Sequence, residues 1–286
     1  MSIELRDHAE WLGDKTLALE IPARRSFMKQ AGLGLLSVAM AQPLLSAVVH
    51  AADHNKPATL SKRPPEAKIP PLSVDATSGA ITLKTFEERF ARIDGLSSNQ
   101  LQQHYKLYEG YVKKLNAISA QISALTPEQL GDANGTFHPY RELLVEQTFA
   151  LNGVVLHELY FSNLGVSQNA SKTPSGVLKN MLSKQFGSFE TYMAHLMATG
   201  KSARGWAITG LNLRDGQIHN YGLDAHHLGM PAYVMPLLVL DVYEHAYLID
   251  FGTNRAAYLD VFTRNLDWGV VEQRLAHVGH HPAFGG

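Results

Sequence analysis

Between Ser97 and Leu125, apolar and aromatic side chains recur three and four residues apart, at Leu101, Tyr105, Tyr108, Val112, Leu115 and Ile118. That period is helical, and a long helix with one apolar face must bury the face against a partner. The next periodic stretch, from about Tyr140 to Leu159, offers one through Leu143, Leu144, Phe149, Leu151, Val154 and Val155. Together they predict a helical hairpin, with Ser97 or Ser98 as the N-cap of its first helix.

Beyond LGVSQNASKTPSG the pattern changes. SFETYMAHLMATG predicts a helix, and in GWAITGLNLRDGQIHNYGLD two short runs flank Asp215-Gly216, a turn dipeptide of β-hairpins. VMPLLVLD, Val234 to Asp241, is apolar and short enough for a buried strand. Helical patterns around Ala257 to Asn265 and Val270 to Leu275 follow. The expected class is α+β: an N-terminal α-helical hairpin domain followed by an α/β domain.

The first part of the chain has another character. ARRSFMKQ, with Arg24 and Arg25, precedes AGLGLLSVAMAQPLLSAVV and small residues around Ala51. Residues 1–51 thus read as an export signal of the twin-arginine type, implying the machinery that carries folded proteins and a periplasmic or other extracytoplasmic destination. Residues 52–80, rich in proline and charge, read as a linker or arm. Residues 81–170 are expected to form the hairpin domain and 171–286 the C-terminal domain.

A net charge of −1 gives no general attraction to nucleic acid or an anionic membrane, and no permanent membrane span is expected. The absence of cysteine removes disulfides, thiolate nucleophiles and iron–sulfur clusters. Oxygen and imidazole remain as metal ligands, and the chain has 14 histidines. Asp241 and His245 stand four apart in DVYEHAYLID, which by itself reads as half of a metal site or as a salt-bridged turn. His104 and His157 each lie in a core-facing stripe, where a histidine is a ligand or a hydrogen-bonded core residue.

From about Leu96 onward the chain resembles the iron/manganese superoxide dismutase family. DVYEHAYLIDF resembles its signature DVWEHAYYLDY, and LDWGVVEQRL its closing segment VNWDEVERRL; FGSFETYM and GWAI match further segments in order. The resemblance implies a small three-stranded antiparallel sheet in the second domain and one Fe or Mn ion per subunit, held by His104, His157, Asp241 and His245. It also implies superoxide as substrate and a homodimer or homotetramer. The alternative is a non-catalytic metal-binding or scaffold protein of the same fold.

The match is uneven near the first ligand. The family pattern HxGKHHxxYV sets its ligand eight residues before a tyrosine; here Gln103 holds that spacing from Tyr111 and His104 stands at seven. A one-residue deletion restores His104, and losing the residue that a π-bulge accommodates would straighten the helix. Tyr111 resembles the gateway tyrosine. Gly153 stands where iron enzymes of the family often carry glutamine, and His226, with His227 as fallback, resembles the compensating donor. Glu244 resembles the residue that reaches a partner subunit's ligand. Tyr243 replaces the signature tryptophan, and Trp206 lies in the matching GWAI. KLYE replaces GKHH, so the histidine expected to pair with Tyr247 across a dimer is absent, and Tyr108 is expected in its space. Arg255 corresponds to a channel arginine, or to a surface charge. His277, His280 and His281 near the C-terminus read as a tail.

Overall fold

In the computed structural model the described residues are 75, 79–165 and 171–279. The export-signal segment, most of the 52–80 arm, His280 and His281 therefore lie outside them. A single turn, α1 (Glu87–Phe90), precedes the long helix α2 (Ser98–Ser123). Ser97 caps α2, its side chain accepting from Gln100 N at 3.0 Å. The buried stripe of α2 is Gln100, Leu101, His104, Tyr108, Val112, Leu115 and Ile118, so two polar residues hold places in an apolar face. Tyr105, expected in that stripe, is only half-buried. The helix runs without a π-turn.

After the short α3 (Pro127–Gly131), α4 (Pro139–Asn163) packs along α2 and completes the hairpin. Proline at its first position and the His138 ring, whose Nδ1 accepts from Tyr140 N at 3.1 Å, start it. Its buried residues all lie from Ala150 onward, so this half of α4 carries the core contact. A strap, residues 81–84, lies on the hairpin. Asn116 pairs with both backbone groups of Ile81, at 2.9 and 2.8 Å. Lys84 N donates to the Tyr108 hydroxyl at 3.0 Å, Tyr105 donates to Lys84 O at 2.8 Å, and the Lys84 ammonium pairs with the Glu158 carboxylate.

In the second half, α5 (Gly176–Phe186) occupies a stretch where no helix was expected, and α6 (Phe189–Ser202) follows, capped by Ser188. The strands β1 (Trp206–Asn212), β2 (Gln217–Leu223) and β3 (Val234–Asp241) form an antiparallel sheet in the order β2-β1-β3. The central strand β1 is buried along nearly its whole length, Thr209 included, as is the far end of β3, which suits the apolar run of β3. Pro236 donates no ladder bond and is tolerated because β3 has a neighbour on one side only. A register shift between Thr209 and Gly210 sits opposite it, after which pairing stays regular to Trp206 opposite Asp241. A 3-10 turn (Glu244–Ala246), α7 (Leu248–Phe251), α8 (Arg255–Arg264) and α9 (Trp268–Gly279) complete the fold.

The end of α4 is tied to β3 and α9. Arg274, buried in α9, donates to Asn163 Oδ1 and Leu237 O, both at 2.6 Å, and to Leu159 O and Ser162 Oγ at 2.9 and 2.6 Å. The Asn163 amide donates to Val239 O on β3. These bonds place the second half of α4 beside the C-terminal end of β3. Among the described residues no helix is long and apolar enough to cross a membrane.

Candidate metal centre

Four elements converge at the end of β3. α2 brings His104, α4 brings His157, β3 ends in Asp241, and the following 3-10 turn carries His245. Asp241 Oδ2 lies 3.0 Å from His104 Nε2, 3.1 Å from His245 Nε2 and 3.7 Å from His157 Nε2. The four ligand atoms lie within 4.8 Å of one another. His104, His157 and Asp241 are buried, and the His245 side chain is 25% exposed.

Hydrogen bonds assign the His157 tautomer. Its Nδ1 lies 2.6 Å from Gly153 O, which can only accept, so Nδ1 bears the proton and Nε2 presents a lone pair. That buried Nε2 has no hydrogen-bond partner among the described residues. A bare, buried imidazole nitrogen aimed at a carboxylate and two more imidazoles is costly in an apolar interior and suits a cation. The spacings of Asp241 Oδ2 from the three nitrogens, 3.0, 3.1 and 3.7 Å, are close to the roughly 3.0–3.6 Å that separates atoms bound about 2.1 Å from one ion. Three imidazoles and one carboxylate are donors that iron and manganese accept.

At Asp241, His104 and His157 the electrostatics favour the forms that bind a cation, whereas at His245 they favour the proton that a cation would displace. Burial would raise the Asp241 carboxyl, but His245 and His104 outweigh it and hold it well below the usual carboxylate range. Burial lowers His104 despite its bond to Asp241. Burial and then His104 push His157 well below the ordinary imidazole value. Burial also acts to lower His245, yet the Asp241 carboxylate prevails and raises it.

A second layer leads outward. Trp206, the cross-strand partner of Asp241, donates from Nε1 to His226 Nδ1 at 2.8 Å. His226, when neutral, therefore carries its proton on Nε2, which donates to the Tyr111 oxygen at 2.7 Å and leaves the Tyr111 hydrogen free for another acceptor. Burial lowers His226 to about 4 and raises Tyr111, so both are neutral at pH 7. The Tyr111 ring packs on His157 at 5.4 Å. Tyr243 stacks on His245 at 5.1 Å and meets Trp206 edge-on. A groove of about 530 Å³ between α2 and α4 includes Tyr111 and Phe149 in its lining. Lys106 and Lys114 line it together with Glu142 and Glu146, so it carries no single sign of charge.

The remaining candidates lie apart or face elsewhere. Gln103 is exposed on the outer face of α2, and His226 rather than His227 reaches Tyr111. Tyr108 is buried and its hydroxyl donates to Glu158 Oε1 at 3.0 Å, while its neighbour Leu107 is 40% exposed. Tyr247 is buried and stacked on Tyr258, so its ring serves the core of its own chain. Arg255 donates to the Tyr247 hydroxyl at 3.2 Å and Ala203 O at 2.9 Å, and does not line the groove. Glu244 is exposed. Sequence reasoning overlooked Gln100, whose side chain bonds the backbone of His245; its place one turn before His104 in the stripe was the available signal.

Residues 174–274 match the family model for the C-terminal domain of iron/manganese superoxide dismutases. The chain is 38% identical over 184 residues to an iron superoxide dismutase of Aquifex pyrophilus, covering 64% of this chain and 85% of that one. It is 35% identical over 190 residues to the iron enzyme of Cupriavidus metallidurans, covering 65% and 91%. A manganese/iron superoxide dismutase of Aeropyrum pernix is 28% identical over 175 residues, covering 60% and 78%.

Proposed function

The chain belongs to the iron/manganese superoxide dismutase family, and from that premise we propose that His104, His157, Asp241 and His245 hold one iron or manganese ion with which the protein disproportionates superoxide to dioxygen and hydrogen peroxide. The observation that carries the reading is the buried convergence of these four ligand atoms, with His157 Nε2 left bare. One-electron exchange with two successive superoxide anions, oxidising the first and reducing the second, is the chemistry the ion supplies when bound.

The side chains around it orient and protonate. Trp206 fixes the His226 tautomer, and His226 fixes the Tyr111 oxygen. Tyr111, packed against His157, then keeps one hydroxyl proton available beside the site, as peroxide formation requires. Its raised pKa keeps that proton in place at neutral pH. Tyr243 and Trp206 wall the site with aromatic rings that exclude bulk water.

The test is metal content beside superoxide turnover for the unaltered chain, His104→Ala and Gln103→Ala. Loss of both in the His104 variant alone supports the reading, and loss in the Gln103 variant alone overturns the ligand assignment. Bound metal without turnover in the unaltered chain would favour a metal-binding or scaffold role. One observation speaks for that second reading: KLYE, residues 106–109, carries no histidine where the family has GKHH.

Two finer proposals accompany this function. Glu244, exposed at the turn, reaches a ligand histidine of a second copy in a homodimer or homotetramer, which light scattering with Glu244→Ala tests. The Arg24-Arg25 segment directs export of the folded chain, and replacing both arginines with lysine should retain activity inside the cytoplasm.

A further inference from the structure

Gln100 is 1% exposed, one helical turn before His104 on α2. Its side-chain amide makes two bonds to the other half of the site. Nε2 donates to His245 O at 2.6 Å, and Oε1 accepts from Ile249 N at 3.0 Å. A carbonyl can only accept and an amide N–H can only donate, so these two partners also fix which way the Gln100 amide points.

The segment held in this way is anchored at its centre, where Ala246 and Tyr247 are buried and Tyr247 stacks on Tyr258, but more lightly at its two ends. The 3-10 turn Glu244–Ala246 has three residues and α7 has four, and neither has a side-chain N-cap. Its outer side chains, Leu248 and Ile249, are 49% and 50% exposed and so add little packing. His245 is also the most exposed of the four converging residues. Apart from Gln100 and the edge-on contact of the His104 ring with His245, the polar tie from this end of α2 is Ser97 N, which donates to Asp250 Oδ2 at 2.6 Å, beyond the part that bears the imidazole.

We propose that Gln100 is a positioning residue of the metal centre: by gripping both ends of the His245–Ile249 segment from the helix that carries His104, it fixes the separation of these two imidazoles, now 5.0 Å between ring centroids. The proposal rests on the metal reading above. It does not require Gln100 to touch the ion or the substrate. Its effect is to turn a short, weakly capped turn into a rigid ligand arm, so its removal loosens one ligand while three remain in place.

The experiment uses the full chain loaded with iron. Gln100→Met keeps length and volume and loses both bonds, whereas Gln100→Glu keeps the acceptor for Ile249 N and places a carboxylate oxygen against His245 O. Gln103→Met, on the exposed face of the same helix, is the control. Iron release to excess chelator should accelerate about 10-fold in both Gln100 variants, at the lower end for groups behind a ligand. Their ferric electron paramagnetic resonance spectra should change in rhombicity, while the control matches the unaltered protein. Gln100 variants that are less heat-stable yet keep the unaltered spectrum and release rate would overturn the proposal, leaving Gln100 a packing residue. An unaltered chain that takes up neither iron nor manganese would overturn the metal reading and this inference together.

Discussion

The Tyr111 ring lies on the backbone of Gly153 so closely that a β-carbon there would stand 2.9 Å from two of its atoms. Glycine in a helix interior costs roughly 0.5–1 kcal/mol relative to alanine, and here the close approach gives it a use. Gly153→Ala should push the ring away and weaken the His226–Tyr111 bond, now 2.7 Å. The expected result is unchanged metal content and a saturated superoxide turnover lower by about 10-fold, a fraction of what a positioned proton donor supplies. Stopped-flow decay of superoxide, beside metal analysis, measures both; unaltered turnover would mean that the position of Tyr111 does not limit the reaction.

His226 makes stability depend on acid. Burial lowers its folded-state pKa to about 4, while an unfolded histidine titrates near about 6.5. A lowered histidine contributes stability that is full above the unfolded value and is lost as pH falls toward the folded one. Between pH 7.5 and 5 that loss is about 2 kcal/mol. His226→Gln retains groups that can accept from Trp206 and donate to Tyr111, yet does not titrate. Urea unfolding at both pH values should therefore show a drop smaller by about 2 kcal/mol in the variant. Equal drops would place the acid sensitivity elsewhere, in the ligand histidines.

Elements with a strong local signal were legible before the structure: the Ser97 cap, the apolar period of α2, the Asp215-Gly216 turn and the run that became β3. The converging residues were legible as two kinds of signal, an Asp–His pair in a family-like motif and two histidines in core stripes. What the sequence hid were side chains whose partners lie far along the chain. Gln100 read as one more polar residue of a helix, because nothing local announces a bond to His245, 145 positions away. Tyr108 read as a stand-in for an absent histidine, because nothing local announces the bonds of its hydroxyl to Lys84 and Glu158, 24 and 50 positions away. Helix α5 buries only Leu178 and Leu182, too sparse a period to stand out among serines and lysines.

Removing the ion should destabilise the fold, because the ligands come from both halves of the chain. An ion that binds only the folded state stabilises it by about 4 kcal/mol when free metal stands 1,000-fold above its dissociation constant. Chelation should lower the unfolding midpoint of the unaltered protein accordingly and leave His157→Ala where it was. A midpoint indifferent to chelator in the unaltered chain would contradict a site bridging hairpin and sheet.

Arg274 should matter to the fold more than any exposed charge. Its guanidinium satisfies four acceptors, three on the last turns of α4 and one on β3, and it is 5% exposed. Arg274→Met fills the space and leaves those acceptors without their donor, at about 1–3 kcal/mol for each that water cannot reach. Because Ser162 Oγ also bonds Glu158 O and the α4 end can relax, the expected loss is about 3–5 kcal/mol, less than four such acceptors would sum to. Arg274→Lys has three donors on one atom and lacks the planar fork, so it should recover less than half. Urea unfolding of the metal-free proteins measures this. A loss below about 1 kcal/mol would show that the apolar contact between α4 and β3 holds without the clasp.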